Sequence, residues 1–218
     1  MAFGAITFGA QKYSSKLVLI SSELLRDSAF NLAAEIGRVA GERIGRIVNT
    51  DLTTGSGAGT VPKGIITAAT SGVTAATATA IAWTEVLDLI HSVDVAYRSQ
   101  PGAGIMCHDN VVLYLRKLAD GMGRLMWESN PVVGQPDRLH GYPVIVNNDM
   151  ASAVSGTNKT LLFGALNKYK VREVASIRLR RLVERYAEYD QEGFVAFMEY
   201  DGDLLDAGTN PVKYLKQG

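Results

Sequence analysis

Three histidines, His91, His108 and His140, a single cysteine, Cys107, and the aspartates Asp201, Asp203 and Asp206 are the side chains whose types and spacing could support catalysis or metal binding in this 218-residue chain. Cys107-His108 is the only adjacent pair of soft and borderline metal ligands, and no C-x-x-C or H-x-x-x-H spacing accompanies it. The pair reads as a buried strand residue followed by a polar group at the strand end. No G-x-S-x-G nucleophile elbow occurs, although a dispersed triad is not excluded by sequence order. The D-x-D-x-x-D run from Asp201 to Asp206 lacks the acidic twelfth ligand of a calcium hand, since Val212 stands there. It reads as a solvated turn.

The glycine-rich run Gly55–Gly64 (GSGAGTVPKG) has the composition of a phosphate cradle but not its order. A Walker loop needs Gly-Lys-Ser/Thr opening a helix after a strand, whereas Lys63 precedes Gly64 and the run follows a helical pattern. Thr60 occupies the place of the third glycine in a dinucleotide fingerprint. A turn-forming connector is the better reading. No catalytic residue, metal or cofactor is assigned; a small enzyme using Cys107 or His108 is kept as the minor alternative.

Basic residues gather at Lys168, Lys170, Arg172, Arg178, Arg180, Arg181 and Arg185. Strand alternation would put Arg178 and Arg180 on one face and Arg181 and Arg185 on the other. Glu173, Glu184 and Glu188 dilute the cluster, and the 22 basic and 22 acidic side chains of the whole chain cancel. A nucleic-acid groove usually has a basic excess and interleaved stacking aromatics. Ion pairs between subunits are the favoured role.

These residues must be held by elements that the apolar pattern outlines. A chain that is 47% hydrophobic and 20% charged is not a disordered tail, and its length suits one core or two small ones at roughly 100–200 residues per domain. The longest mostly apolar stretch, Ile65–Trp83, is interrupted by Thr, Ser and Gly72 and falls short of a membrane span. Nothing after Met1 looks secretory, and a lone cysteine forms no internal disulfide.

Short extended segments are expected near 5–9 and 15–20, with a helix-start signal at Ser21-Ser22-Glu23. From Ser28 to about residue 50, Phe30, Ala33, Ile36, Ala40, Ile44, Ile47 and Val48 recur every three or four residues, which predicts one long helix. Gly37, Gly41 and Gly45 form an i, i+4, i+8 stripe along it, each costing about 1 kcal/mol relative to alanine. Interleaved charges exclude a lipid-facing seam, so the stripe predicts close approach of another backbone, from this chain or a neighbouring copy.

A Gly/Ala/Thr/Ser-rich connector follows over 53–79, with a short strand possible at 64–67. Further expectations are a helix over 83–97 with Thr84 as cap, a buried strand over 102–108, a helix from Asp109 to Ala119, a short strand at 124–127 and a loop over 128–141. Strands are expected at 142–146, 161–163, 169–174, 177–189 and 193–199, with the last two joined by a turn at 190–193. The sum is a mixed α+β chain.

Four segments in order carry a resemblance to the major capsid proteins of tailed bacteriophages, the Hong Kong 97-type family. Lys16–Ser28 (KLVLISSELLRDS) resembles the family's strand and entry into its spine helix. Gly57-Ala58-Gly59-Thr60 with Pro62-Lys63-Gly64-Ile65 is similar to its G-x-G-x-x-x-P-x-G-I element. Leu139-His140-Gly141-Tyr142-Pro143-Val144 resembles its L-x-G-x-P-V strand, and Phe163-Gly164 with Tyr169-Lys170-Val171-Arg172 resembles its G-D-F…Y-x-I-x-D-R segment. The sequence departs from the family at Ala165 and at Tyr200, where many members have arginine, and it opens at what looks like the returning strand of the family's extended loop. No lysine, asparagine and glutamate match those that cross-link in some relatives, so no cross-linking site is assigned.

The resemblance implies an extended-loop remnant, spine helix and connector over 1–79, an axial domain over 80–160 and peripheral strands over 161–218. It implies a virion structural protein, not an enzyme, that self-assembles into pentamers and hexamers of an icosahedral head around double-stranded DNA, in host cytoplasm. Partners would be copies of itself, with scaffold or portal proteins possible, DNA contacted non-specifically at most, and no membrane. An encapsulin-like cellular nanocompartment holding a cargo enzyme is the alternative. Gly37, Gly41, Gly45, Arg178, Arg180, Arg181 and Arg185 are the subunit-interface candidates.

Overall fold

The structure, a computed structural model, describes residues 6–29, 31–127, 137–206 and 209–218. Phe30, most of the expected loop over 128–141, and residues 207–208 after the aspartate run lie outside the described residues. By internal contacts the chain forms two compact units, Gly64–Lys170 with Asp203–Gly218, and Thr7–Lys63 with Val171–Gly202.

The first unit is built on a six-stranded sheet in the order β3 (Thr70–Thr74), β10 (Val212–Lys216), β7 (Lys159–Ala165), β4 (Ala103–Cys107), β6 (Tyr142–Val146), β5 (Arg138–Leu139). β4 and β7 are buried at nearly every position, as continuous apolar runs in a covered sheet must be. α4 (Trp83–Ser92) and α6 (Asp109–Arg116) contribute Val86, Leu89, Ile90, Val111 and Leu115 to one core with Ile105, Leu161 and Phe163. α3 (Ile65–Ala68) packs Ile65 and Ile66 into a second core with Leu162, Leu204 and Val212.

Several boundaries differ from the sequence reading. The strand expected at 64–67 is the helical turn α3, because Ile65, Ile66 and Ala68 are all buried and a helical turn brings these near-consecutive positions into one core. The stretch after it, expected as connector, supplies β3, whose parallel pairing with β10 ties it into the first unit. By contact the units divide at 6/7, 63/64, 170/171 and 202/203. The helix expected over 83–97 stops where Val93 turns into the core, and Asp94 caps a separate turn, α5 (Val95–Arg98), through the Ala96 amide at 2.7 Å. Its start is Ala82, not Thr84, with the Glu85 carboxylate accepting from the Ala82 and Ala76 amides at 2.8 and 2.7 Å. No strand forms at 124–127; a bridge between Ala119 and Leu125 closes a turn there.

Gly164 holds a position no other residue fits. Its φ is +146°, and an added Cβ would stand 2.1 Å from the Pro211 carbonyl oxygen where β7 meets β10. The buried Gln217 amide is satisfied when its nitrogen donates to the carbonyls of Ala80 and Thr77, at 3.1 and 3.3 Å, and its oxygen accepts from the Thr160 hydroxyl at 2.9 Å.

The second unit carries β1 (Gln11–Ser14) and β2 (Val18–Ser21) along β9 (Gln191–Leu204), with β8 (Tyr169–Leu182) also paired to β9. α1 (Ser22–Asp27) is capped by Ser21 and α2 (Leu32–Thr54) by Asn31, whose side chain accepts from the Ala34 amide at 3.1 Å. The strand expected to run to Tyr189 ends at Leu182; a 3₁₀ segment, Glu184–Tyr189, follows, and Asp190 in the left-handed region makes the turn. Gly193, expected in that turn, lies inside β9.

Both tryptophans, Trp83 and Trp127, lie in the first unit, so their fluorescence reports its unfolding. Gly164→Ala is expected to lower that unit's stability by about 3 kcal/mol in urea titrations. Gly121→Ala, with open space around the new methyl, is expected to stay within about 0.5 kcal/mol of the parent.

Candidate assembly surfaces

α2 spans 23 residues yet buries only Ala40, Ile44 and Thr53. Ala40 and Ile44 form a small core with Ala196, flanked by Val48 and Met198. Elsewhere in the second unit Leu17, Leu19, Ile47, Val171, Val174 and Val183 stay exposed. A groove of about 910 Å³ runs between Ser14–Val18 and α2, floored by Ile36, Val39, Ile44 and Ile47 and rimmed by Glu35, Arg43 and Arg46. Apolar floor and charged rim are the chemistry of a polypeptide-binding surface rather than of a reaction centre.

The glycine stripe lies partly under β8. A Cβ on Gly37 would meet Leu179 Cδ2 at 3.6 Å and one on Gly41 would meet Ile177 Cδ1 at 3.9 Å, both ordinary van der Waals distances. Among the described residues, then, side chains rather than a backbone face these two glycines, and a Cβ on Gly45 would meet nothing within 4 Å beyond its own stretch of helix.

The arginines are held mostly within the chain. Arg178 Nη2 lies 2.8 Å from Glu199, and Arg181 grips Glu192 through two nitrogens. Rising numbers on β8 thus meet falling numbers on β9, which gives the antiparallel sense expected. The Arg181 hydrogen bonds hold the Glu192 carboxyl below the usual carboxylate range. Arg180 lies over the Phe197 ring, 5.8 Å from its centroid. Arg185, expected on a strand face, sits on the 3₁₀ segment, 5.6 Å over Tyr186, because β8 ends before it. Arg172 donates to the Phe8 and Gly9 carbonyls at 2.9 and 3.0 Å, and Lys168 pairs with Asp206 at 2.8 Å.

One cluster had no sequence signal beyond the departure at residue 200. Tyr200 is buried and stacks on Tyr13 with centroids 4.6 Å apart and planes 17° apart. Its hydroxyl donates to Asp51 Oδ2 at 3.1 Å, and the Tyr13 hydroxyl donates to the Thr60 carbonyl at 3.3 Å. The cluster ties β1 and β9 to the end of α2 and to the glycine-rich turn, which is ordered by a Ser56–Lys63 bridge and a Gly57 amide donating to the Pro62 carbonyl at 3.2 Å. Burial pushes Tyr13 up to about 12, and Tyr200 moves in the same direction for the same cause.

Cys107, His108, Asp201 and Asp203, among the residues first suspected of chemistry, have structural roles. Cys107 is fully buried in β4, and burial pushes its thiol up to about 12, so it is protonated at neutral pH. His108 caps α6 by accepting the Asn110 amide at Nδ1, 3.0 Å away. Asp201 accepts from the Gly9 and Gly202 amides and Asp203 from the Leu204 amide. Among the described residues no group of three or more His, Cys, Asp or Glu could hold a metal ion, and no helix is long and apolar enough to cross a membrane.

A two-unit chain with a long, lightly buried helix and a paired long strand has close structural counterparts. It is similar to the capsid of an empty GTA particle computed with C5 symmetry, with TM-score 0.84 and 24% identity, over 98% of this chain and 75% of that one. It is also similar to a chain of Mycobacterium phage Adephagia, with TM-score 0.71 and 14% identity over 97% and 73%. A chain of Gordonia phage Cozz gives TM-score 0.69 and 16% identity over 99% and 72%. A comparison with curated proteins finds no match. These likenesses define the class by architecture: the Hong Kong 97-type capsid fold. The profile of the phage capsid family matches residues 1–216, and the chain belongs to that family, whose members are structural proteins of the virion shell.

Two measurements follow. Alkylation of Cys107 in the native protein is expected to be at least about 100-fold slower than in urea; equal rates would put the thiol on the surface. The phenols of Tyr13 and Tyr200 are raised above the ordinary 10.0, so their contribution to stability is full below about pH 10 and is lost as pH rises toward the folded values. Urea midpoints of the helical circular dichroism signal should fall between about pH 9 and about pH 11. Tyr200→Phe should cost about 1 kcal/mol at neutral pH and flatten that fall.

Proposed function

We propose that this chain self-associates into pentameric and hexameric capsomers of an icosahedral phage head that encloses double-stranded DNA. The observation that carries the reading is the uneven burial of the second unit, whose helix and long strand leave large apolar side chains uncovered by its own small core. Large apolar side chains left exposed in this way are the kind of surface an interface covers. Many copies of one modest head-to-tail contact, closed by symmetry, give a stable shell without any single strong contact.

Of the interface candidates, Gly45, Arg180 and Arg185 are the ones this reading assigns to a neighbouring copy. Gly45 has open space for a close approach, and Arg180 and Arg185 rest on aromatic rings with their guanidinium groups available for an acidic partner. Gly37, Gly41, Arg178 and Arg181 would act indirectly, by fixing α2 and β8. The peripheral role belongs to the second unit and the axial role to the first. The match to the phage capsid family supports a phage head over a nanocompartment.

The protein expressed from its complete reading frame should form closed particles in electron micrographs and scatter light accordingly. Ile47→Asp with Val171→Asp should keep the circular dichroism spectrum and raise the concentration needed for assembly at least about tenfold. Monomers under all assembly conditions would sink the proposal.

A further inference from the structure

The first unit carries a knob and a hollow that have no partner among the described residues. The knob is the turn after α6. Asp120 Oδ1 accepts from the amides of Met122 and Arg124, both at 2.9 Å, and the Asp120 amide donates to the Arg124 carbonyl at 2.8 Å. The Ala119–Leu125 bridge and a Met126 amide bond to the Leu118 carbonyl at 3.0 Å close its base. The turn so fixed holds out Met122, 95% exposed, with Leu125 and Met126 beside it. A loop ordered by its own hydrogen bonds, with methionine at its tip, loses little entropy on docking and adapts to an irregular apolar surface.

The hollow, of about 410 Å³, lies between one face of α6 and β6. Positions 109, 112, 113 and 116 recur at helical spacing, and Asp137, Val144 and Val146 also line it among the described residues. Leu113 and Val146 are about half exposed in it. Charge is complementary as well. The described knob residues carry Lys117 and Arg124 against Asp120, whereas the described lining of the hollow carries Asp109 and Asp137 against Arg116.

We infer that the Met122 knob of one copy seats in the α6–β6 hollow of the next, with Met122 against Leu113 and Val146. Two different patches on one unit meet head to tail, which is the contact that closes rings. The inference rests on the capsomer reading above and names the surfaces that would form the ring.

Disulfide trapping tests it. Chains carrying Met122→Cys are mixed with chains carrying Leu113→Cys, assembled and oxidised, with Cys107 buried and out of reach. The expected product is a disulfide-linked dimer on non-reducing gels, absent from either variant alone, and the double variant should give a ladder up to the ring size. Met122→Asp should raise the assembly concentration at least about tenfold while leaving tryptophan fluorescence unchanged. Intact particles without the disulfide, together with normal assembly of Met122→Asp, would overturn this contact and leave the capsomer reading standing; failure of the parent protein to form rings or shells overturns both.

Discussion

Burial is distributed unequally along this chain, and most of its other properties follow from that. The residues 64–170 and 203–218 close a dry interior around a six-stranded sheet, with Cys107, Leu161, Phe163 and Leu215 wholly withdrawn from water. The residues 7–63 and 171–202 organise a long helix, about 34 Å at 1.5 Å per residue, over a core of Ala40, Ile44 and Ala196, with Phe194 and Tyr200 the large side chains buried in the same unit. Burial this sparse yields only a modest hydrophobic gain to set against chain entropy. A surface that needs covering is what a shell-forming protein supplies to its copies.

Polar interactions compensate locally in the thinly packed unit. The Tyr13–Tyr200 stack with Asp51, the Arg181–Glu192 pair and the Arg178–Glu199 pair fasten strands to each other and to the helix end. These bonds fix direction more than they add stability, since pairs with an exposed partner contribute little in water. They keep α2 and β8 in register with β9.

Much of the architecture was legible in the sequence where one signal dominated. The long helix showed in the spacing of Ile36, Ala40, Ile44 and Ile47, and four ordered motifs pointed to the family that the match over 1–216 establishes. The sequence was least informative where tertiary pairing decided the outcome. Ile65–Ala68 looks extended by composition but is helical because three of its side chains are buried together. Arg185 looked like a strand residue because the alternation continued past Leu182, where a 3₁₀ segment takes over. The Tyr200 cluster joins residues 149 positions apart, from Asp51 to Tyr200, which no local pattern encodes. The knob and hollow likewise depend on how a turn and a helix face are presented, not on any motif.

β1 and β2 share a single edge of β9, the first against Phe197–Tyr200 and the second against Phe194 back to Gln191, with Ser15 bonding both ways to Ala196 between them. Mechanically this is a zipper in two independent lengths. Tension applied at the amino-terminal side would break the Arg172 bonds to Phe8 and Gly9 and the Gly9 bond to Asp201, then peel Gln11–Ser14 with its four residue pairs, the Tyr13 stack and the Tyr13–Thr60 bond, while Val18–Ser21 stays clamped. Strain from a moving neighbour would therefore be absorbed upstream of Ser15 before it reached the long helix.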